Sequence, residues 1–67
     1  MLLGNLASEL HRIAQEEVAK AEASGLSGDA KYDMAFREIK KRLPEVGKSA
    51  INLAIELAVQ ALTGLKQ

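Results

Sequence analysis

The chain has 67 residues, nine basic and nine acidic side chains that cancel, no cysteine and a single histidine, His11. That length supports one small domain. The composition excludes disulfides and thiolate metal sites, leaves His11 without a second imidazole for a metal, and offers no overall basic footprint for nucleic-acid phosphates. A domain of this size buries only about 60% of the surface its unfolded chain exposes, so oligomerisation is the remaining way to add core.

The cancelled charge is unevenly placed. Glu9, Glu16, Glu17 and Glu22 outnumber Arg12 and Lys20 in the first third of the chain, whereas Lys31, Arg37, Lys40, Lys41 and Arg42 outnumber Asp29, Asp33 and Glu38 in the middle. Segments of opposite sign attract each other, weakly where water screens them. The start, "MLLGNLAS", lacks the basic opening and long apolar centre of a signal peptide. No run reaches the roughly 20 apolar residues that cross a bilayer. Together with the missing cysteines, this predicts a cytoplasmic protein.

Two breaks divide the chain into three helical segments, an all-α three-helix fold. In "SGLSG", Ser24 to Gly28, glycine and serine favour a loop. In "PEVG", Pro44 to Gly47, proline stops a helix and drives Leu43 out of the helical region. The first segment, about residues 3–23, carries Leu3, Leu6, Leu10, Ile13, Ala14, Val18 and Ala21 at steps of three and four, one apolar stripe. Ser24-Gly25 supplies its stop. Glu17 falls within the stripe. The simpler expectation is that it reaches out to water; the sharper one is a partner on the basic helix, Lys40 or Arg42.

The second segment, about 29–43, is capped by Ser27 or Asp29. Tyr32, Ala35, Phe36, Ile39 and Leu43 form its apolar stripe. Asp33–Arg37 and Glu38–Arg42 have the i,i+4 spacing of surface ion pairs. Met34 points away from the stripe, as an exposed apolar residue or a contact with another subunit.

The third segment, about 48–65, is "KSAINLAIELAVQALTGL". At about 100° per residue, Asn52, Glu56, Gln60 and Thr63 make one narrow polar strip. Ile51, Ala54, Ile55, Ala58, Leu62 and Leu65 make the main apolar face, and Ala50, Leu57 and Ala61 a second, with Leu53 at its edge. One stripe suffices for a surface helix in a small monomer, so this helix has an apolar face to spare. The expected core is Leu6, Leu10, Ile13, Phe36, Ile39, Ile51, Ile55 and Leu62. The expected self-association face is Ala50, Leu53, Leu57 and Ala61, with Met34.

Catalytic chemistry is not legible. His11 flanks the first stripe with no serine or carboxylate spaced to form a triad with it, and reads as a surface histidine. "KKR", Lys40 to Arg42, could meet phosphate or an anionic membrane, but it lies in a last helical turn, where cations suit the helix dipole. Segments two and three could mimic a helix-turn-helix. The third helix would then read DNA with Asn52, Glu56, Gln60 and Thr63 and almost no positive charge, which argues against it. "SGLSG" lacks the lysine and spacing of a phosphate-binding loop.

The stretch "GLSGDAKYDMAFREIKKRLPEVGKSAINLAIELAVQAL" combines a glycine-containing loop, Lys31-Tyr32, a basic helix with spaced apolar residues, Leu43-Pro44, and "AIELAVQAL", Ala54 to Leu62. From about Val18 onward this pattern resembles the C-terminal part of LLH-type phage holins, where a helix ends like "LIEAAVKEL". The resemblance implies a phage or prophage origin and a link to host lysis. Members of that family carry an N-terminal transmembrane helix before a cytoplasmic helical region. Here the first segment carries Glu9, Arg12, Glu16 and Glu17 and departs from that pattern, so pore formation does not carry over. What the resemblance implies is the soluble helical module, self-associating at the cytoplasmic face of the membrane.

The resulting expectation is a non-enzymatic self-association module, without cofactor and without nucleic acid, completed as a homo-oligomer with a dimer favoured. The alternatives are a peripheral membrane binder using the third helix and Lys40–Arg42, and an adaptor offering a groove to another protein's helix.

Overall fold

A computed structural model of the chain describes residues 2–64, and side chains from residue 7 onward. Three helices form: α1 (Leu2–Ala23), α2 (Gly28–Arg42) and α3 (Lys48–Gly64). Each break does what its residues demand. After α1, Gly25 takes φ +79, a left-handed conformation costly for any residue with a Cβ. The Ser24 backbone N–H donates to the Ala21 carbonyl at 3.1 Å, and the Ser24 hydroxyl accepts from the Leu26 N–H at 3.2 Å. Ser27, extended at φ −65 and ψ 165, caps α2 by accepting from the Ala30 N–H. Of the two caps expected for α2, serine takes the position and Asp29 lies in the first turn.

α2 ends one residue before the expected Leu43, which becomes its C-cap in a non-helical conformation ahead of Pro44. The turn then folds inward. Leu43 and Val46 are both buried, and the Val46 N–H donates to the Leu43 carbonyl at 3.1 Å. Lys40 fixes this turn by donating from Nζ to the carbonyls of Pro44, at 3.1 Å, and Val46, at 2.8 Å.

α1 packs on both other helices, and α2 meets α3 less extensively. Ile39 and Ile51 sit fully buried at the centre, joined by Ile13, Val18, Ile55, Leu43 and Val46. Ala14, Ala35, Ala54 and Ala58 complete this cluster. Small residues at these contacts let the backbones approach, which is how so few large side chains fill the core. Leu10 and Phe36, expected as core, pack against the cluster half-buried, and Leu6 lies outside the described side chains.

One core expectation, Leu62, is corrected, and with it the place of Tyr32 in the α2 stripe. Leu62 is 37% exposed and Tyr32 is 41% exposed. Both keep the right helical spacing but lie near the ends of their helices, at the rims of surface grooves. Tyr32 stacks on Phe36, ring centroids 6.2 Å apart, on the edge of the core.

Candidate interaction surface

The second apolar face of α3 is uncovered. Leu53 is 57% exposed and Leu57 44%, one turn apart, with exposed Ala50 and Ala61 continuing the stripe at either end. Beside it α1 contributes Ala7, Leu10 and His11, and the two helices enclose a shallow groove of about 210 Å³ lined also by Ala50, Leu53, Ala54 and Leu57. The stripe carries no charge. Its polar border is Glu56 and Gln60, both exposed. Met34 does not join it: this side chain is half-buried on α2 and lines no part of the groove.

The opposite flank of α3 borders a second groove, of about 290 Å³, that periodicity did not reveal. It lies between Val18 and Ala21 of α1, Tyr32 and Ala35 of α2, and Ile55 and Val59 of α3, with Lys31 paired to Glu22 at 2.9 Å on its rim. The available signal was Val59, an apolar residue on α3 that belonged to neither assigned face.

Many of the charged residues on α1 and α2 are engaged within the chain. Glu17 is 3% exposed and does not reach water as the simpler expectation held. Arg42 is the partner: its Nη1 donates to Glu17 Oε2 at 3.0 Å and to Glu16 Oε1 at 3.1 Å. Lys20 approaches Glu17 at 3.5 Å from the solvent side. Glu16 also accepts from Arg12 at 2.8 Å, and Arg12 reaches Glu9 at 2.7 Å, so a chain of ion pairs runs from α2 along α1. The hydrogen bond from Arg42 is the main cause holding the Glu16 carboxyl below its ordinary value, with Arg12 adding to it. Its counterpart raises Arg42, through Glu16 first and Glu17 second.

Arg42 is therefore not paired with Glu38, as the i,i+4 spacing suggested; Glu38 meets Lys41 at 3.5 Å instead. Asp33 and Arg37 do pair, at 3.4 Å. Every cation of the "KKR" run is occupied inside the molecule: Lys40 on the turn carbonyls, Lys41 on Glu38, Arg42 on α1. His11 is exposed, with its Nε2 3.2 Å from Gln15. Among the described residues no group of His, Asp or Glu is placed to hold a metal ion, and no helix is long and apolar enough to cross a membrane. No protein-family model, curated protein or solved structure matches the chain.

Proposed function

We propose that the chain is a non-enzymatic self-association module whose α3 pairs with a second copy of itself, a homodimer. The observation that carries this reading is the stripe of Ala50, Leu53, Leu57 and Ala61, with both leucines largely exposed and no charge among them. At about 25 cal/mol per Å² of apolar area, covering it would add several kcal/mol, comparable to the whole stability of a small domain.

The resemblance of the region from Val18 onward to LLH-type phage holins supports the same reading. In that setting the chain is the phage-derived helical portion of a holin-like protein, acting at the cytoplasmic face of the membrane through association rather than pore formation. A membrane-surface role draws less support, because Lys40 and Arg42 are engaged by internal partners, which leaves Lys41 as the outward cation of the run.

Sedimentation equilibrium across the micromolar range tests the proposal. The wild-type chain is expected to move from monomer to dimer. Leu57→Glu is expected to raise the dimer Kd by about ten- to a hundredfold, the equivalent of roughly 1.4–2.7 kcal/mol, with helicity unchanged. A chain that stays monomeric to high micromolar concentration overturns the reading.

A further inference from the structure

We infer that the two copies pair through antiparallel α3 helices about a two-fold axis that passes between Leu53 and Leu57, at the level of Ile55 along the helix. This rests on the self-association reading and adds the geometry of the partner. A two-fold interface brings the same patch of both subunits together, so a residue i that meets j must have j meeting i. The exposed stripe of α3 has that form. Its leucines, Leu53 and Leu57, lie two residues either side of Ile55, and its alanines, Ala50 and Ala61, lie at nearly equal distances beyond them. Turned end for end, the stripe presents nearly the same pattern: small, large, large, small. Leu53 then packs against the partner's leucine at 57, and the alanines let the helix ends close together.

Charge gives the direction. α2 matches its dipole within its own chain, with Asp29 in the first turn and Lys40, Lys41 and Arg42 in the last. α3 has no acidic residue in its first turn, no basic residue in its last, and the cation Lys48 at its positive end. An antiparallel copy brings Lys48 beside the region of Leu62 to Gly64, toward the negative end of the partner's helix dipole. A parallel copy would set two Lys48 side chains and two positive helix ends together. The antiparallel pair corrects the mismatch that α3 carries alone.

A stable interface buries about 800 Å² on each partner, more than a four-residue stripe supplies. Ala7, Leu10 and His11 of α1 flank the stripe and extend the apolar surface. The two-fold axis that inverts α3 places both copies of this shelf on the same side of the α3 pair, so α1, α3 and their mates form a four-helix layer.

The absence of native cysteine makes the test direct. Ala50→Cys and Ala61→Cys both change small, exposed side chains and leave the core intact. A disulfide needs Cα atoms about 4.4–6.8 Å apart. With a rise of about 1.5 Å per residue, the antiparallel pair puts two copies of position 50 roughly 15 Å apart along the axis, out of reach, and puts 50 near 61. Under mild oxidation each variant alone is expected to stay uncrosslinked, and an equal mixture to give a covalent dimer. Sedimentation of the reduced proteins runs beside it. A covalent dimer from Ala50→Cys alone overturns the antiparallel pairing in favour of a parallel one. A reversible dimer with no crosslink in the mixture also overturns it, leaving self-association standing. A monomer in sedimentation removes the self-association reading itself.

Discussion

α2 and α3 pack against the same helix, α1, and are of similar length, but they meet their surroundings differently. α2 starts on a serine cap, carries an acid in its first turn and three cations in its last, and ties Arg42 across to Glu16 and Glu17. α3 starts at Lys48, behind Gly47, which has no side chain to cap with; it carries no compensating charge in either terminal turn and leaves two leucines facing outward. The polar and apolar needs of α2 are largely met inside the chain, with Tyr32, 41% exposed, as the large apolar residue it turns outward. Those of α3 are met on one side only. A helix finished on one face and unfinished on the other marks the surface where a small domain would gain most from a partner.

The largest expected effect sharpens the first half of that contrast. Ile39 is fully buried where α2 meets the core. Ile39→Ala should cost about 2–5 kcal/mol, enough to unfold a domain whose whole stability is of order 5 kcal/mol. Urea titration checks it. A cost under about 1 kcal/mol would mean that α2 is not closed onto the core. Its readout is the opposite of that of Leu57→Glu, which acts on association and spares the fold.

A smaller effect lies in the ionic tie of α2 to α1. Arg42→Ala leaves Glu17 buried with only Lys20 nearby and leaves Glu16 to Arg12 alone. It should lower the urea midpoint at neutral pH. The Glu16 carboxyl titrates lower in the folded chain than when unfolded, mainly because of Arg42. Its contribution to stability is therefore present above the ordinary glutamate range and lost as pH falls through the lowered folded value. Acid should destabilise the wild type through this group, and Arg42→Ala should show less of that acid sensitivity. Parallel pH profiles for the two proteins would show that Arg42 does not couple to Glu16. A chain in which the tie proved weak would erase much of the difference between α2 and α3.

How much of this was legible follows from what local sequence can encode. The helices and their ends could be read, because glycine, serine and proline act on the backbone where they stand. The buried positions Ile13, Ile39, Ile51 and Ile55 followed from spacing, because a stripe has to face something. Leu62 and Tyr32 share that spacing and are exposed, because period gives a direction but not where the neighbouring helix stops. Arg42 illustrates the other limit. The nearest acid in sequence at helical spacing, Glu38, was the obvious partner, yet Arg42 crosses to residues 25 and 26 positions away. Glu17, an acid within the apolar stripe, did point to a partner on the basic helix, Lys40 or Arg42, but which of the two it meets, and that Glu16 shares it, depends on how the helices dock. The exposure of Leu53 and Leu57 became definite only once the covering helices were placed.

The smallest effects bear on the helix starts. Ser27 accepts from the Ala30 N–H at 3.4 Å, a long hydrogen bond, so Ser27→Ala should cost about 0.5–1 kcal/mol, the lower part of the range for cap removal. Gly47 holds the matching position in α3: its carbonyl accepts the first helical hydrogen bond, from the Ile51 N–H at 3.1 Å. A Cβ built there meets nothing within 4 Å, and its φ is outside the left-handed region. Gly47→Asp should therefore fit, supply an acceptor for the free N–H groups of the first turn, and set a negative charge at the positive helix end beside Lys48. A gain of a few tenths of a kcal/mol in thermal unfolding is expected, the usual margin of aspartate over glycine at an N-cap. Opposite signs for the two substitutions would place the contrast between α2 and α3 in the ends of the helices as well as in their faces. A loss at both would mean that Gly47 is needed by the inward turn after Pro44 rather than left open as a cap.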